Sequence, residues 1–592
     1  MSSSNSATAG LSVHRLVTDL VEMRAELAPD RVAYRFSSDG EFDTCTVTYG
    51  ALREQSRSVA RRLRQNVVTG DRVIVALPPG LEFVSHFFGC LYAGAVAVPA
   101  YPPLRLRHQP SIERFARIVK DSSAAAVLTT PALAAGLRNA HFDFLLGVAV
   151  LGCDPAEYED GKCGSGEFPR REGDEPAVLQ YTSGSTSMPR GVVLTNAGIL
   201  YNLKVTADLF GSSEDSVGVI WLPPYHDMGL IGGILQPLFG GFPVILFSPF
   251  RFVQQPLRWL KTISRWKGTV SGGPNFAYEL CIRKISSEQR AELDLSSWKV
   301  AFNGAEPIRS ETLERFAVKF RPCGFHREAF FPCYGLAEAT LLVTGKVKDR
   351  ASSSAPYRSV VLQEARTDIE TRRGAMAVGV GRAAPGTTVV IADPETRHAL
   401  PDGAIGEIWV SAPGVGAGYW NRPLENERVF EAQLANTGEG PFLRTGDLGF
   451  LDSGELFVTG RLKDIIIIRG LKYWPHDIES IAESVDPCLR AAAAFTEGDG
   501  VECSLTVMAE WDGEVDRDQC SKIEAAIRSV VAEQIDLRVD RVVLVAPGSI
   551  PRTTSGKIQR HRCRGWLRHK EAGSLLALQR LTMGEASAGP EA

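Results

Sequence analysis

The feature that most narrows the possible folds is the apolar tract from Phe83 to Tyr101, FVSHFFGCLYAGAVAVPAY. It is almost long enough to cross a bilayer, but His86, Gly89, Gly94 and Pro99 punctuate it. That punctuation fits a buried helix over about Leu81 to Ala93 turning into a buried strand over about Ala95 to Ala100. A helix and a strand that are apolar on every side must be covered on every side. Layered α/β domains built on mostly parallel sheets meet that condition.

The neighbouring sequence agrees. Tyr49 to Asn66 has helical spacing of Leu52, Val59 and Leu63, and Gly70-Asp71 turns into a strand over Arg72 to Leu77. A helix over about Ser111 to Asp121 and a strand over Ala125 to Thr129 extend the alternation. A second α/β block spans about 192 to 345, with strands at Val217 to Leu222, Pro243 to Phe247, Thr269 to Ser271 and Trp298 to Phe302 and a helix at Gln255 to Trp266. From about Gly379 the texture becomes short strands: Thr387 to Ala392, Gly406 to Ser411 and Gly454 to Thr459. An α+β region follows, with helices at Pro475 to Val485 and Gln519 to Gln534 and strands at Ser504 to Trp511 and Arg541 to Ala546. The expected architecture is therefore a large N-terminal domain, 1–462, of two α/β subdomains plus a small β-rich subdomain. A small mobile α+β domain, 463–580, and a tail, 581–592, complete it, with the boundary at Lys463.

The 592 residues are 44% apolar and 23% charged with net charge -4, which favours neither nucleic acid nor an anionic membrane as partner. The eleven cysteines form no C-x-x-C pair, so free thiols fit better than zinc or a disulfide framework. The N-terminus lacks a basic start and an apolar core, and a cytoplasmic protein is expected.

Between the two α/β blocks lies QYTSGSTSMPRGVVLT, Gln180 to Thr195. Small residues let backbone N–H groups converge, hydroxyls add movable donors, and Arg190 adds a cation, a combination suited to phosphate oxygens. The G-x-x-x-x-G-K-S/T spacing fails, because position 189 is proline, and G-x-S-x-G is missing. A plain surface turn has the same composition. In open α/β sheets ligands gather beyond the carboxyl ends of the strands. This loop, the Pro223 to Gly229 loop and the Asn303 to Pro307 loop are thus candidates to meet at one cleft.

The order of seven motifs makes the pattern specific: the phosphate loop, YHDMGLIG, NGAEP, YGLAEAT, RTGDL, GRLKDIIIIRG and PRTTSGK. With them the chain, from about residue 11 to 565, resembles the adenylate-forming superfamily of acyl-CoA synthetases, luciferases and peptide-synthetase adenylation domains. WLPPYHDMGLIGG and FFPCYGLAEATLLVTG make it most similar to the fatty acyl-AMP ligases. The resemblance implies ATP- and magnesium-dependent activation of a fatty acid to acyl-AMP with release of pyrophosphate, then transfer to the phosphopantetheine thiol of an acyl carrier protein.

It also implies site roles. Lys557 becomes the cation that bridges carboxylate and α-phosphate. Thr182, Ser183, Gly184, Ser185, Thr186 and Arg190 face the phosphates. Gly304, Ala305 and Glu306 form a flat backbone shelf against adenine, with Tyr334 stacking and Gly335 permitting close approach. Asp447 accepts from the ribose hydroxyls and Arg461 supports ribose or phosphate. Glu338, with Thr186, is the magnesium-associated pair. His226 gates the carboxylate pocket or is a structural histidine bonded to backbone. Met228, Leu230, Ile231, Ile234 and Leu235 line the acyl chain, and Lys463 is the hinge. Ser187, Arg190 and Ala337 depart from residues common in relatives, so no hydroxyl role is assigned at Ala337.

Fatty acyl-AMP ligases have an insertion where this chain runs through about 345–378, and Val360, Val361 and Leu362 suggest an anchored piece while SSSAP suggests a surface loop. Arg560, Arg562, Arg564 and Arg568 would give a helix a basic face, suited to an acidic carrier helix or simply solvated. The carrier would be a separate chain or a missing downstream domain. The rival readings are a long-chain acyl-CoA synthetase, an amino-acid adenylation domain in which Asp227 holds the amino group, and a catalytically silent scaffold.

Overall fold

The tract from Phe83 to Tyr101 forms helix Leu81–Tyr92 followed by strand Val96–Pro99. Phe83, Val84, Phe87, Phe88 and Cys90 are fully buried on it. Gly89 allows the neighbouring helix, Tyr49–Leu63, to approach, because a Cβ there would stand 2.4 Å from Cγ1 of Val59. The computed structural model describes residues 15–40, 44–104, 106, 109–153, 167–182, 189–346, 357–361, 369–370, 376–468, 471–497, 504–513, 517–552 and 557–570.

That strand is central in a six-stranded sheet. Its order is Ala149–Gly152, Ala126–Thr129, Arg72–Ala76, Val96–Pro99, Pro176–Thr182 and Arg190–Thr195. All neighbours are parallel except the last pair, which is antiparallel and flanks the phosphate loop. The seven-stranded second sheet runs Phe330–Pro332, Val300–Asn303, Val270–Gly273, Gly218–Ile220, Val244–Phe247, Val32–Ser37 and Thr44–Thr48. Val32–Ser37 pairs in parallel with Val244–Phe247, so the first strand of the chain completes the second block, not the first. The parallel strands of this sheet end at the loops after Ile220, Asn303 and Pro332, which places those loops along one edge.

An eight-stranded antiparallel sheet includes Tyr334–Gly335, Met376–Ala383, Gly406–Ser411, Leu443–Asp452 and Glu455–Arg461. Phe450 and Phe457 stack on it at 4.9 Å between ring centroids. Within the expected insertion, strand Ser359–Val361 pairs with the start of Met376–Ala383, and the Tyr357 hydroxyl donates to Glu314 at 2.5 Å. A two-residue strand, Ile369–Glu370, pairs with Leu471–Tyr473. The described part of the insertion is anchored; 347–356, which holds SSSAP, 362–368, which begins with Leu362, and 371–375 lie outside the described residues.

The C-terminal region folds around strands Leu489–Glu497, Ser504–Trp511 and Arg541–Val545 and helices Pro475–Glu483, Arg517–Ile535 and Arg560–Lys570. It has its own core, in which Ile478, Ile481, Leu505, Val507, Ile527 and Val531 are fully buried. Among the described residues, no helix is long and apolar enough to cross a membrane.

Candidate active site

Asp447 is the best defined centre. Its strand pairs with Glu455–Arg461 so that Asp447 lies opposite Arg461, whose Nε donates to Asp447 Oδ1 at 2.8 Å. The Tyr334 hydroxyl donates to Asp447 Oδ2, also at 2.8 Å. Asp447 as a whole is 6% exposed. A carboxylate offers about four acceptor directions, so two protein donors leave capacity for a diol. Burial and the Asp447 charge push the Tyr334 hydroxyl well up, which keeps it a donor.

The Asn303 loop follows directly from strand Val300–Asn303. Ala305 adopts φ 70, a left-handed conformation that costs a residue with a Cβ about 1–2 kcal/mol. The Glu306 side chain is held by a neighbouring helix, which leaves the loop backbone for the expected shelf. Its Oε1 accepts from the Phe276 N–H at 2.6 Å, at the start of helix Asn275–Lys284. Any flat surface here is therefore made of backbone. Burial raises the Glu306 carboxyl, opposed by that hydrogen bond and by Arg552, Arg309 and Lys557. Asn303 is fully buried, and neither atom of its amide has a hydrogen-bond partner among the described residues. Gly335 is needed for a neighbour: a Cβ there would meet the Leu341 carbonyl oxygen at 1.8 Å.

Glu338 occupies a 3₁₀ turn, Ala337–Ala339, and its Oε1 accepts from the Tyr419 hydroxyl at 2.9 Å. Burial pushes this carboxyl up and the Tyr419 hydrogen bond opposes the shift. Arg190 meets Glu425 at 2.7 Å and lies 5.2 Å from the centre of the Tyr419 ring. Thr182 ends its strand at the loop; Ser183, Gly184, Ser185 and Thr186 lie outside the described residues. A hard cation bridging phosphate oxygens needs few protein ligands, and a buried carboxylate such as Glu338 fits that need. Among the described residues there is no group of three or more acidic, histidine or cysteine side chains able to hold a metal alone.

The third loop brings His226 and Asp227. Asp227 Oδ1 accepts from the Met228 N–H at 2.7 Å at the start of the short helix Asp227–Leu230, and burial raises its carboxyl. Burial, Arg114 and Lys557 lower His226 to about 3, so the imidazole is neutral at physiological pH. Lys557, far along the chain, completes the set. Burial and Arg461 lower its ammonium, while Asp227, Asp447 and Glu306 oppose the shift. Residues expected at the ribose, adenine and carboxylate subsites thus share one electrostatic environment with Lys557.

Leu230, Ile231, Ile234 and Leu235 are all at most 1% exposed and belong to the main core, with Met228 partly buried against it. Ile231–Leu235 forms a π-helical turn, a distortion frequent at functional sites. Lys463 is exposed in the 3₁₀ turn Leu462–Asp464. The expected basic face of the last helix is reduced, because Arg560 turns inward to Glu479 at 2.7 Å and Asp464 at 3.1 Å. Arg114, Asn303 and Tyr419 were not among the expected site residues. Asn303 opens the NGAEP motif and Tyr419 stands in the glycine-rich phrase GAGYWNRP, whereas Arg114 carries no such sequence signal.

Comparison with known proteins follows the same lines. Residues 21–420 match the family model described as AMP-binding enzyme, and 463–571 match the AMP domain of Disco-interacting protein 2-like proteins. A medium-chain-fatty-acid–acyl-carrier-protein ligase of Moorena producens is 41% identical, covering 92% of this chain and 94% of its own length. A 4-hydroxyphenylalkanoate adenylyltransferase of Mycobacterium bovis is 36% identical over 92% of this chain and 90% of its own. The crystal structure of a fatty acyl-adenylate ligase from Legionella pneumophila in complex with acyl adenylate and pyrophosphate matches with TM-score 0.72 and 36% identity. It covers 94% of this chain and 97% of that one.

Proposed function

This chain belongs to the AMP-binding enzyme family, and we propose that it activates a fatty acid with ATP to acyl-AMP and then passes the acyl group to the thiol of an acyl carrier protein. The observation behind this reading is the convergence of Lys557 with Asp447, Asp227, Glu306 and Arg461. A cation from the C-terminal region among these groups supports a role for it where a carboxylate and a phosphate, both anionic, must meet. The named activities of the relatives support the substrate class.

In the first half-reaction a carboxylate oxygen attacks the α-phosphorus, and the bond to the pyrophosphate oxygen breaks. Asp447 holds the ribose diol while Tyr334 and Arg461 hold Asp447. Lys557 meets the charge that builds on the nucleophile and the α-phosphate; such preplaced charge lowers the barrier because it need not reorganise. His226, neutral here, borders the acyl entrance without supplying a proton. Glu338 would hold magnesium together with phosphate oxygens, and Thr186 is proposed beside it; magnesium supplies neutralisation of phosphate charge. Met228, Leu230, Ile231 and Ile234 are proposed to border the alkyl chain.

In the second half-reaction the carrier thiolate attacks the acyl carbonyl and AMP leaves. Lys463 is proposed as the hinge at which the C-terminal region turns between the halves. The insertion supports a carrier protein over CoA, since its backbone pairs with both Met376–Ala383 and Leu471–Tyr473 and would limit that turn. A cytoplasmic location fits these substrates. The test is mass spectrometry of products from mixed fatty acids with ATP, with and without CoA and a carrier protein. Acyl-AMP and acyl-carrier without acyl-CoA is expected; acyl-CoA formed as fast as acyl-AMP makes it an acyl-CoA synthetase instead.

A further inference from the structure

The C-terminal region touches the rest of the chain through a small polar contact separate from the reacting groups. Arg309 Nη1 donates to Glu483 Oε2 at 2.9 Å. Both ends of this pair are held. The Arg309 N–H donates to Asn275 Oδ1 at 3.1 Å, and Glu483 Oε1 accepts from the Ala492 N–H at 3.0 Å. A second contact lies beside it, Arg283 Nη1 to the Arg490 carbonyl at 3.3 Å. Asn275 and Arg283 mark the beginning and end region of helix Asn275–Lys284, whose first turn receives Glu306. The elements that shape the Asn303 loop are therefore those that grip the C-terminal region. The grip exists in the orientation in which Lys557 shares the environment of Asp447 and Asp227.

We propose that Arg309 and Glu483 form a clasp, with Arg309 and Glu483 acting as positioning residues that hold the C-terminal region in the orientation used for adenylation and release it for acyl transfer. This rests on the function proposed above. The side chains are 36% and 23% exposed, so water weakens the pair. A weak clasp suits an element that must open in every cycle, because a strong one would trap the first orientation.

The experiment separates the half-reactions. Arg309→Gln and Glu483→Gln should each slow acyl-AMP formation about fivefold, the upper range for a partly exposed pair, with KM for ATP nearly unchanged. Transfer from supplied acyl-AMP to a carrier protein should keep its wild-type rate. Exchanging the charges, Arg309→Glu with Glu483→Arg, should recover most of the adenylation rate. Spin labels at exposed Ser287→Cys and Lys522→Cys, in a background with Cys45, Cys163, Cys488 and Cys503 changed to serine, report orientation without chemistry: Arg309→Gln should deplete the distance population that fits this structure. The clasp is overturned if the label distances are unmoved, if both half-reactions slow equally, or if charge exchange is no better than the single variants. A wild type that makes no acyl-AMP overturns the proposed function, and the label distances then decide the clasp alone.

Discussion

Replacing Lys557 by alanine tests the central charge argument. The ammonium stands among Asp227, Asp447 and Glu306, with Arg461 opposing it. A unit charge about 4 Å from a developing anion contributes about 4 kcal/mol at the effective dielectric of a protein surface. Part of that is already engaged by the three carboxylates in the resting site, so the differential left for the transition state is about 3–4 kcal/mol. At about 1.4 kcal/mol per decade, Lys557→Ala should lower kcat for fatty-acid-dependent pyrophosphate release by about 10²–10³. KM for ATP should change by less than about threefold, because Asp447, Tyr334 and Arg461 remain. The pH dependence gives a second reading. The protonated form is the useful one, and burial with Arg461 lowers its pKa from 10.5. Activity in kcat/KM is therefore present at low and neutral pH and falls as pH rises through a midpoint below 10.5. Lys557→Arg should retain part of the activity and move that limb to higher pH. An unchanged rate of pyrophosphate release in Lys557→Ala would refute the reasoning.

Four further outcomes follow from the geometry. His226→Gln should leave the pH profile between about 5 and 8 without a new or lost limb, since His226 titrates at about 3; loss of a limb near neutrality would show a proton role. Asp447→Asn should raise KM for ATP by about tenfold or more and lower the melting temperature, because the Tyr334 hydroxyl and Arg461 lose a charged acceptor worth about 1.5–3 kcal/mol. Gly335→Ala should fail to accumulate as folded protein, because its Cβ would lie 1.8 Å from the Leu341 oxygen; a soluble, active variant would show that the backbone yields. Asn303→Ala should leave the melting temperature of the ligand-free protein unchanged or higher while weakening nucleotide binding by calorimetry, because it removes a buried amide with no described partner.

The sequence predicted elements well where periodicity and punctuation coincide. The tract at Phe83, the strands at Gly406–Ser411 and Ser504–Trp511, and helix Leu257–Trp266 all lie within two residues of the expected bounds. Strand Leu489–Glu497 was missed because Ala491 to Ala494 offer no β-branched signal; its strand character comes from pairing along Ser504–Trp511. Helix Asn196–Phe210 had readable caps, with Thr195 accepting from the Gly198 N–H and Gly211 at φ 61, yet it was not among the expected elements. Membership of Val32–Ser37 in the second sheet depends on a contact with Val244–Phe247 that no local pattern contains. The site follows the same division. Motif residues such as Asp447 and Lys557 are visible as words. Tyr419 against Glu338 and Glu306 against Phe276 are visible only as distances.

Those distances expose an apparent contradiction: a site for a polyanion that is lined by Asp227, Glu306, Glu338 and Asp447. Burial raises Asp227, Glu306 and Glu338, so leaving them ionised without partners would be costly. Lys557 relieves that cost for Asp227, Glu306 and Asp447 at once, and Arg461 acts on Asp447 and Glu338. Lys557 lies beyond the 3₁₀ turn at Lys463 and Arg461 immediately before it, so under the proposed hinge at Lys463 part of the balancing charge would arrive only when the C-terminal region is seated. In that proposal the large region alone would present an excess of acid to the phosphates, which would disfavour catalysis in the wrong orientation. Acidic lining thus becomes a device for order: the carboxylates that would repel ATP make its reaction conditional on Lys557, and cutting Asp227 to asparagine should weaken that dependence by lowering the gain from seating. Carboxylate-dependent pyrophosphate release by Asp227→Asn should therefore lose less on further change of Lys557 to alanine than the wild type does, and full additivity of the two losses would refute the coupling.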